Sequence, residues 1–274
     1  MYENFDAIVI GCGFSGATAA RCLAEKGKKV LILEKRDHIA GNMYDFIDEN
    51  GILTHKYGPH IFHTNNKTVF EFLKRFTDFM PYEHRVIGRI DGQYVPIPFN
   101  FESADRLFGK EKSAKIKEAL KKEYGDREKV TVNELLEGQG EIRKIGEFVF
   151  EKVFLHYTAK QWGMPPEKVD KSVLSRVPVV LGYDDRYFQD TYQYMPKDGY
   201  TKLFENMLRH ENITVKTNVD ALRLIHADAQ SGKVTIGDEV YEKPIIWTAP
   251  ADELFGCVFG RLPYRSLYLK IEHI

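Results

Sequence analysis

The chain alternates short apolar runs with longer segments in which apolar residues recur at helical spacing. Residues 7–10 (AIVI) are apolar throughout, which is typical of a parallel strand buried on both faces. A helix-like segment follows, and residues 29–33 form a second, largely apolar run. This strand–helix–strand order predicts an α/β fold with a mostly parallel sheet.

The middle of the chain predicts helices and one hairpin. Residues 66–80 predict a helix with Asn65 or Asn66 as its N-cap. The apolar face of this helix is formed by Val69, Phe72, Leu73, Phe76 and Met80. Residues 85–98 predict a hairpin around Asp91-Gly92, placed at a sheet edge because prolines interrupt it. Residues 103–157 have a helical pattern rich in lysine and glutamate, so we expect a solvated helical insertion.

The last part of the chain returns to strands. A predicted helix at 199–211 is followed by predicted strands at 213–218, 222–227, 233–237 and 244–250. The last of these contains the apolar IIW and needs buried neighbours, so we expect these strands to rejoin the first sheet. The segment SLYLKIEHI at 266–274 predicts one more strand.

The turn between the first strand and the first helix reads GCGFSG. In a dinucleotide-binding fingerprint, Gly11 permits the tight turn, Gly13 lets the pyrophosphate approach the backbone, and Gly16 lets the helix pack closely. Glu34 ends the second strand, at the spacing of an acid that accepts hydrogen bonds from a ribose. A glycine-rich turn without a ligand is the alternative, but the strand, helix and acid together favour a dinucleotide site.

NAD and FAD share this fingerprint, so the choice between them depends on the residues that follow. The segment 35–42 (KRDHIAGN) brings two more cations and another glycine, which suit an extended dinucleotide. The sequence therefore favours FAD.

Charge and composition argue against several other classes of protein. The chain has 274 residues, and 39 Lys and Arg nearly balance 40 Asp and Glu, so no net charge attracts nucleic acid. No segment has the length and apolarity of a membrane span, and the first residues lack a signal-peptide pattern. We therefore expect a cytoplasmic protein without membrane insertion.

Cysteines and histidines give no pattern of a disulfide framework or a metal site. Cys12, Cys22 and Cys257 form no CxxC pair, which fits a reducing compartment. His60 and His63 have a three-residue spacing, but no carboxylate or cysteine cluster completes a ligand set. We expect no metal.

Several motifs together resemble one enzyme family. They are GCGFSG, EKRDHIAGN, YGPHIFHT at 57–64, YTAKQWG at 157–163, YDDRYF at 183–188 and YRSL at 264–267. The chain is similar in these motifs to the bacterial UDP-galactopyranose mutases, flavoenzymes that interconvert the pyranose and furanose forms of UDP-galactose. The resemblance implies FAD as cofactor, with N5 of the reduced flavin attacking the anomeric carbon as a nucleophile, and UDP-galactose as substrate.

The resemblance also implies a set of site residues. Its cofactor contacts are Gly11, Gly13, Phe14, Ser15, Gly16, Glu34, Lys35, Asn42, His60, Ile61 and Val219. Its substrate contacts are His84, Phe154, Tyr157, Thr158, Trp162, Arg176 and Tyr187. Catalytic roles fall to Arg176, on a loop that closes over the substrate, and to His63 beside the flavin.

The residue types suit these roles. The rings of Trp162 and Tyr157 offer flat faces for a uracil to stack on, and the Arg176 guanidinium suits a leaving diphosphate. Each has a structural alternative, as core aromatics under a loop or as a surface charge.

Three positions and the end of the chain depart from the family pattern. Ala40 stands where the family usually has a glycine, which we expect to be tolerated, His84 replaces an asparagine, and Val180 replaces an arginine. Family members continue beyond the YRSL motif, so we expect a fragment or a shortened member with weakened FAD binding.

From these patterns and the resemblance we expect a Rossmann-like FAD-binding domain with a mostly parallel sheet, interrupted by a helical insertion domain and an antiparallel sheet region. The expected parts are the first FAD-binding part at 1–82, a hairpin and helical insertion with the mobile substrate loop at 83–198, the second FAD-binding part at 199–255, and the start of a truncated substrate-side sheet at 256–274. A homodimer is the assembly that the resemblance implies. Two other functions stay open, a non-catalytic FAD and UDP-sugar-binding module and an oxidoreductase of the amine-oxidase type.

Overall fold

A computed structural model of the protein describes residues 2–155, 178–228, 230–237, 239–264, 266–270 and 272. The chain forms two compact units, one from residues 1–82 and 191–274 and the other from residues 83–190. The four-part division expected from the sequence stays a prediction.

The elements are numbered along the chain. The strands are β1 (Ala7–Ile10), β2 (Val30–Leu33), β3 (Asp45–Ile47), β4 (Leu53–His55), β5 (Phe62–Thr64), β6 (Phe79–Pro81), β7 (Val86–Ile90), β8 (Gln93–Ile97), β9 (Lys129–Val130), β10 (Val179–Val180), β11 (Tyr192–Pro196), β12 (Ile213–Lys216), β13 (Ile225–Ala227), β14 (Val234–Ile236), β15 (Glu239–Val240) and β16 (Ile245–Trp247). The helices are α1 (Phe14–Ala24), α2 (Lys67–Lys74), α3 (Phe101–Tyr124), α4 (Val132–Glu137), α5 (Glu141–Val149), α6 (Tyr200–Leu208) and α7 (Ala251–Leu254), with a π-helical stretch at Phe150–Leu155. No helix among the described residues combines the length and the apolarity needed to cross a membrane.

The first unit is built on a four-stranded sheet in the order β12-β2-β1-β16, with every pair parallel. All residues of β1 and β2 are buried, as their unbroken apolar sequences predict. Alternate residues face opposite sides, so Val9 and Ile32 pack with α1 and α6, while Ile8 and Leu31 pack on the other side. The predicted α/β fold with a mostly parallel sheet is confirmed.

The second face of this sheet packs against β13 and β14, which form a separate antiparallel sheet with β15. The expectation that residues 222–227 and 233–237 rejoin the parallel sheet is therefore wrong. These strands alternate in burial, with Ile225 and Ile236 inward and His226 exposed. A strand that is buried on only one face shows such alternation, whereas a central strand of a parallel sheet has apolar residues on both faces.

The predicted helix at 66–80 is shorter in the structure. Asn66 caps α2 by accepting hydrogen bonds from the amides of Thr68 and Val69, as expected. The helix ends at Lys74, and Met80 lies in β6, which pairs with β11 in an antiparallel sheet that also holds β5. The partner strand, Tyr192–Pro196, is distant in sequence, so local periodicity does not reveal these hydrogen bonds.

The second unit has its own core. The hairpin of β7 and β8 is confirmed, with positive φ at Asp91 and Gly92 in its turn. The long α3 is interrupted at Gly109 (φ 70°), and Asp105 before the break accepts hydrogen bonds from Ser113 and Lys117 after it. The helical prediction for 103–157 is interrupted by β9, which pairs with β10. In the predicted strand at 266–274, the described residues form no strand.

The close contact between α1 and the end of β1 gives a stability prediction. A Cβ on Gly16 would lie 2.0 Å from the Gly11 carbonyl oxygen, so Gly16→Ala forces the backbone apart. We expect a loss of about 3 kcal/mol or more in the free energy of unfolding, measured by urea denaturation.

Gly27→Ala is the matched control. Gly27 has a φ of 77°, but nothing lies within 4 Å of its added Cβ, so only the backbone strain of about 1 kcal/mol is expected. Equal losses in the two variants would contradict the steric explanation.

Candidate functional site

The predicted fingerprint turn lies at the carboxyl end of β1, between the sheet and α1. Gly11 has a φ of 94°, and a Cβ there would lie 2.5 Å from the Thr248 hydroxyl oxygen, which donates a hydrogen bond to the Ile10 carbonyl. Gly13 is the N-cap of α1 and has no side chain to cap it, so the first amides of the helix have no side-chain acceptor among the residues that the structure describes. Such an end suits a phosphate group.

A second loop approaches the turn from the end of β2. A Cβ on Gly41 would lie 2.9 Å from the Cα of Gly13, so the two backbones meet without side chains between them. Ala40 has a φ of 72° and is fully buried, although a left-handed conformation usually requires glycine. We expected alanine to be tolerated at this position, and its left-handed conformation there costs about 1–2 kcal/mol in backbone strain.

Glu34 connects these two loops. One carboxylate oxygen accepts a hydrogen bond from the Cys12 amide at 2.7 Å, and the other accepts one from the Arg36 amide at 2.9 Å. The side chain is buried, and each carboxylate oxygen keeps a second lone pair. The acid is therefore held in place by the backbone and retains acceptors for ribose hydroxyl groups.

Two further predicted cofactor residues lie beside Glu34. The Val219 amide donates to the Glu34 carbonyl at 2.9 Å, and Lys35 pairs with Asp220 at 3.2 Å. Asn42 accepts a hydrogen bond from the Arg36 guanidinium at 2.8 Å. These residues and the three fingerprint glycines are therefore grouped at the carboxyl ends of β1, β2 and β12, the edge where parallel α/β sheets bind ligands.

Phe14 and Ser15 begin α1 in this group. The Phe14 ring packs against Phe204, with ring centroids 4.7 Å apart. It therefore secures the helix start to α6.

The segment that contains His60, Ile61 and His63 follows β4. The His60 amide donates a hydrogen bond to Nδ1 of His55 at 3.0 Å, while Nδ1 of His60 is buried without a partner among the described residues. His63 lies on β5, opposite Gln193 of β11, and is exposed. The structure thus holds the backbone of this segment through His55, which the sequence analysis did not select.

Asp45 is a second residue that the sequence analysis missed. Its buried carboxylate accepts hydrogen bonds from the amides of Tyr200 at 2.6 Å and Thr201 at 2.8 Å, and so caps α6 from 155 residues away. His55 stands opposite Asp45 in the β3–β4 ladder. No local spacing reveals this cap because its two halves are distant in sequence.

Three predicted substrate residues lie in the second unit. The Tyr187 amide donates to the His84 carbonyl at 2.7 Å, and their rings meet edge to face with centroids 5.8 Å apart. The Phe154 side chain is buried in the core of the unit, next to Leu135 and Val149. The structure brings His84 and Tyr187 together and places the Phe154 ring in the hydrophobic core of the unit.

The other predicted substrate residues, Tyr157, Thr158, Trp162 and Arg176, lie outside the described residues. Val180 lies in β10 and is buried. Within the part of the chain that the structure describes, no three His, Cys, Asp or Glu side chains are placed to hold a metal ion.

Comparison with known proteins tests the predicted resemblance. A family model described as UDP-galactopyranose mutase matches residues 152–274, and one for an NAD(P)-binding Rossmann-like domain matches residues 9–76. The probable UDP-galactopyranose mutase of Klebsiella pneumoniae is 37% identical over 97% of this chain and 65% of its own length. The UDP-galactopyranose mutase of Mycoplasma pneumoniae is 36% identical over 98% of this chain and 68% of its own. The chain belongs to the UDP-galactopyranose mutase family.

Two further matches are a mutase for a different nucleotide sugar and a solved structure. A dTDP-fucopyranose mutase of Escherichia coli is 38% identical over 95% of this chain and 67% of its own length. A crystal structure of reduced UDP-galactopyranose mutase superposes with a TM-score of 0.61 and 24% identity, over 91% of this chain and 56% of that one. The Rossmann-like fold and the family resemblance are thus confirmed, and the chain spans 65% of the Klebsiella relative.

The position of His55 gives a prediction about pH. Burial lowers the pKa of His55, although Asp45 opposes this shift. The unfolded chain therefore binds more protons than the folded one below about pH 6.5, so stability falls as the pH is lowered from that value and levels off below the folded pKa. Urea denaturation between about pH 5 and pH 7 measures this loss.

His55→Asn is the matched variant, because an asparagine oxygen replaces Nδ1 as acceptor for the His60 amide and does not titrate. We expect a flatter pH dependence in this variant. An unchanged dependence would show that other groups cause it.

Proposed function

We propose that this protein is a flavin-dependent isomerase that interconverts UDP-galactopyranose and UDP-galactofuranose. The observation that carries the proposal is the backbone cradle of Gly11, Gly13, Gly16 and Gly41 beside the buried Glu34, in a chain of the UDP-galactopyranose mutase family. The cradle suits a dinucleotide, and the loop after β2 leads us to assign it to FAD.

The residues of the cradle would hold FAD in three ways. The uncapped start of α1 would receive the diphosphate, because its first amides have no side-chain acceptor. Glu34 would accept hydrogen bonds from the ribose hydroxyls with its free lone pairs. Lys35, Asn42 and Val219 would enclose the adenosine end, and His60 and Ile61 the flavin end. Reduced flavin, when bound, supplies a nucleophilic nitrogen, N5, for the anomeric carbon.

The nucleotide sugar would be held by residues of the second unit and of the segment 156–177. Trp162 and Tyr157 would stack on the uracil, and Arg176 would neutralise the charge that develops on the departing diphosphate. Thr158, His84 and Tyr187 would complete the nucleotide-sugar contacts, and His63 would lie beside the flavin. A cytoplasmic location and a homodimer stay predictions.

A second substrate is favoured by one comparison, since the dTDP-fucopyranose mutase is as similar to this chain as the UDP-galactopyranose mutases are. The two nucleotide sugars differ in the base methyl, the ribose 2′-hydroxyl and the sugar 6-hydroxyl. An active site rejects the nucleotide sugar that lacks a hydroxyl group when one of the site's own polar groups would then have no hydrogen-bond partner.

The first experiment is a visible absorption spectrum of the purified protein, followed by dithionite reduction and assays with both nucleotide sugars. We expect flavin bands and isomerisation of UDP-galactose after reduction, with a higher kcat/KM than for dTDP-fucose. A higher kcat/KM for dTDP-fucose would mean that dTDP-fucose, and not UDP-galactose, is the substrate. Bound flavin without turnover would support a non-catalytic module, and oxidation of an amine would support the oxidoreductase alternative.

Two substitutions test the substrate roles. Trp162→Ala removes a stacking surface worth about 1–3 kcal/mol, so we expect weaker binding by roughly 10- to 100-fold. Arg176→Ala removes charge stabilisation in the transition state, so we expect kcat to fall about 100-fold or more with a smaller effect on binding. Steady-state kinetics and titration with UDP measure the two effects.

Arg143→Ala is the control for Arg176, because Arg143 is exposed and, among the described residues, pairs with Glu147 on the surface of α5. It should leave both kcat and binding unchanged. Equal losses of binding and turnover in the Trp162 and Arg176 variants would mean that the roles are wrongly assigned.

A further inference from the structure

The loop after β2 contains a buried histidine that no motif assigns to a role. His38 is 9% exposed, and its ring stacks on Tyr44 with centroids 3.9 Å apart and an interplanar angle of 20°. Both ring nitrogens are used: Nδ1 lies 2.8 Å from the Ile39 carbonyl oxygen, and Nε2 lies 2.8 Å from the Tyr57 hydroxyl. The ring is therefore fixed in position by one stacking contact and two hydrogen bonds.

The partners of His38 decide where its proton lies. A carbonyl oxygen only accepts, so Nδ1 carries a hydrogen and donates it to Ile39. In the neutral ring, Nε2 is then an acceptor, and the Tyr57 hydroxyl donates to it. His38 thus fixes the orientation of a tyrosine 19 residues away, in the segment that follows β4.

The Tyr57 ring in turn supports Arg36. The guanidinium carbon of Arg36 lies over the ring, 4.3 Å from its centroid. Arg36 donates a hydrogen bond from Nη2 to the Asn42 side chain at 2.8 Å and one from its amide to Glu34 at 2.9 Å. The contacts run without a break from His38 through Tyr57 and Arg36 to Asn42 and Glu34.

We propose that His38 and Tyr57 are positioning residues that set the affinity of the cradle for its dinucleotide by holding Arg36 and Asn42 in place. This inference rests on the proposed FAD site. His38 and Tyr57 act through Arg36, whose guanidinium requires a planar support to keep one orientation. Asn42 adjoins Gly41, which meets Gly13 at the start of α1, so a displaced Arg36 loosens one wall of the cradle.

Tyr57→Phe is the sharpest test, because it removes the hydrogen bond to His38 and leaves the ring under Arg36. Tyr44→Phe is the matched control, since it removes a tyrosine hydroxyl from the same cluster that makes no hydrogen bond among the described residues, and it keeps the ring that stacks on His38. Apoprotein of each variant is titrated with FAD by fluorescence, and its thermal midpoint is measured without FAD.

We expect Tyr57→Phe to raise the FAD dissociation constant about tenfold and Tyr44→Phe to change it less than about twofold. The thermal midpoints of the two apoproteins should stay within a few degrees of the wild type. FAD affinity within twofold of the wild type in Tyr57→Phe would overturn the proposal, and so would a loss of affinity that only follows a large fall in the midpoint.

A double-mutant cycle tests the route through Arg36. Tyr57→Phe should add little to the loss of FAD affinity caused by Arg36→Met, because the tyrosine acts through that guanidinium. Additive losses would overturn the proposed route. His38→Phe, which keeps the stacked ring but loses both hydrogen bonds, should match Tyr57→Phe.

The titration also separates this inference from the function on which it rests. Failure of the wild-type apoprotein to bind FAD would overturn the FAD site and the positioning role together. Normal binding by the wild type and by Tyr57→Phe would overturn the positioning role alone.

Discussion

The carboxylate of Glu34 joins the turn after β1 to the loop after β2, and the candidate site depends on this connection. A buried carboxylate is costly unless hydrogen-bond donors compensate its charge, and the amides of Cys12 and Arg36 supply them. The same bonds satisfy two backbone amides in loops that have no regular secondary structure. A dinucleotide site thus has its acid oriented before any ligand is present, which reduces the entropy cost of binding.

The glycines matter because this connection requires the backbones to lie very close. A Cβ on Gly16 would clash with the Gly11 carbonyl oxygen, and a Cβ on Gly41 would clash with the Gly13 Cα, so neither position has room for a methyl group. Ala40, next to Gly41, shows that the loop takes the left-handed conformation even where the residue disfavours it. The surrounding contacts, including the stacking of His38 on Tyr44 and its hydrogen bond with Tyr57, therefore determine the backbone there.

The two units have different tasks in the proposed enzyme. The first unit encloses its parallel sheet on both faces, with α1 and α6 on one side and the small sheet of β13 to β15 on the other. This leaves the carboxyl edge of the sheet for a ligand. The second unit has a separate core and places His84 beside Tyr187.

By itself, the sequence determined the features that depend on neighbouring residues. The buried strand at Ala7–Ile10, the fingerprint turn, Glu34 and an asparagine cap at position 65 or 66 were all predicted, because spacing, backbone conformation and capping act within a few turns of chain. Only the tertiary structure decided that Met80 lies in a strand, that β13 and β14 form a sheet separate from the parallel one, and that Asp45 caps α6. These outcomes, like the contact of His38 with Tyr57, depend on partners distant in sequence, and local patterns do not encode which distant groups meet.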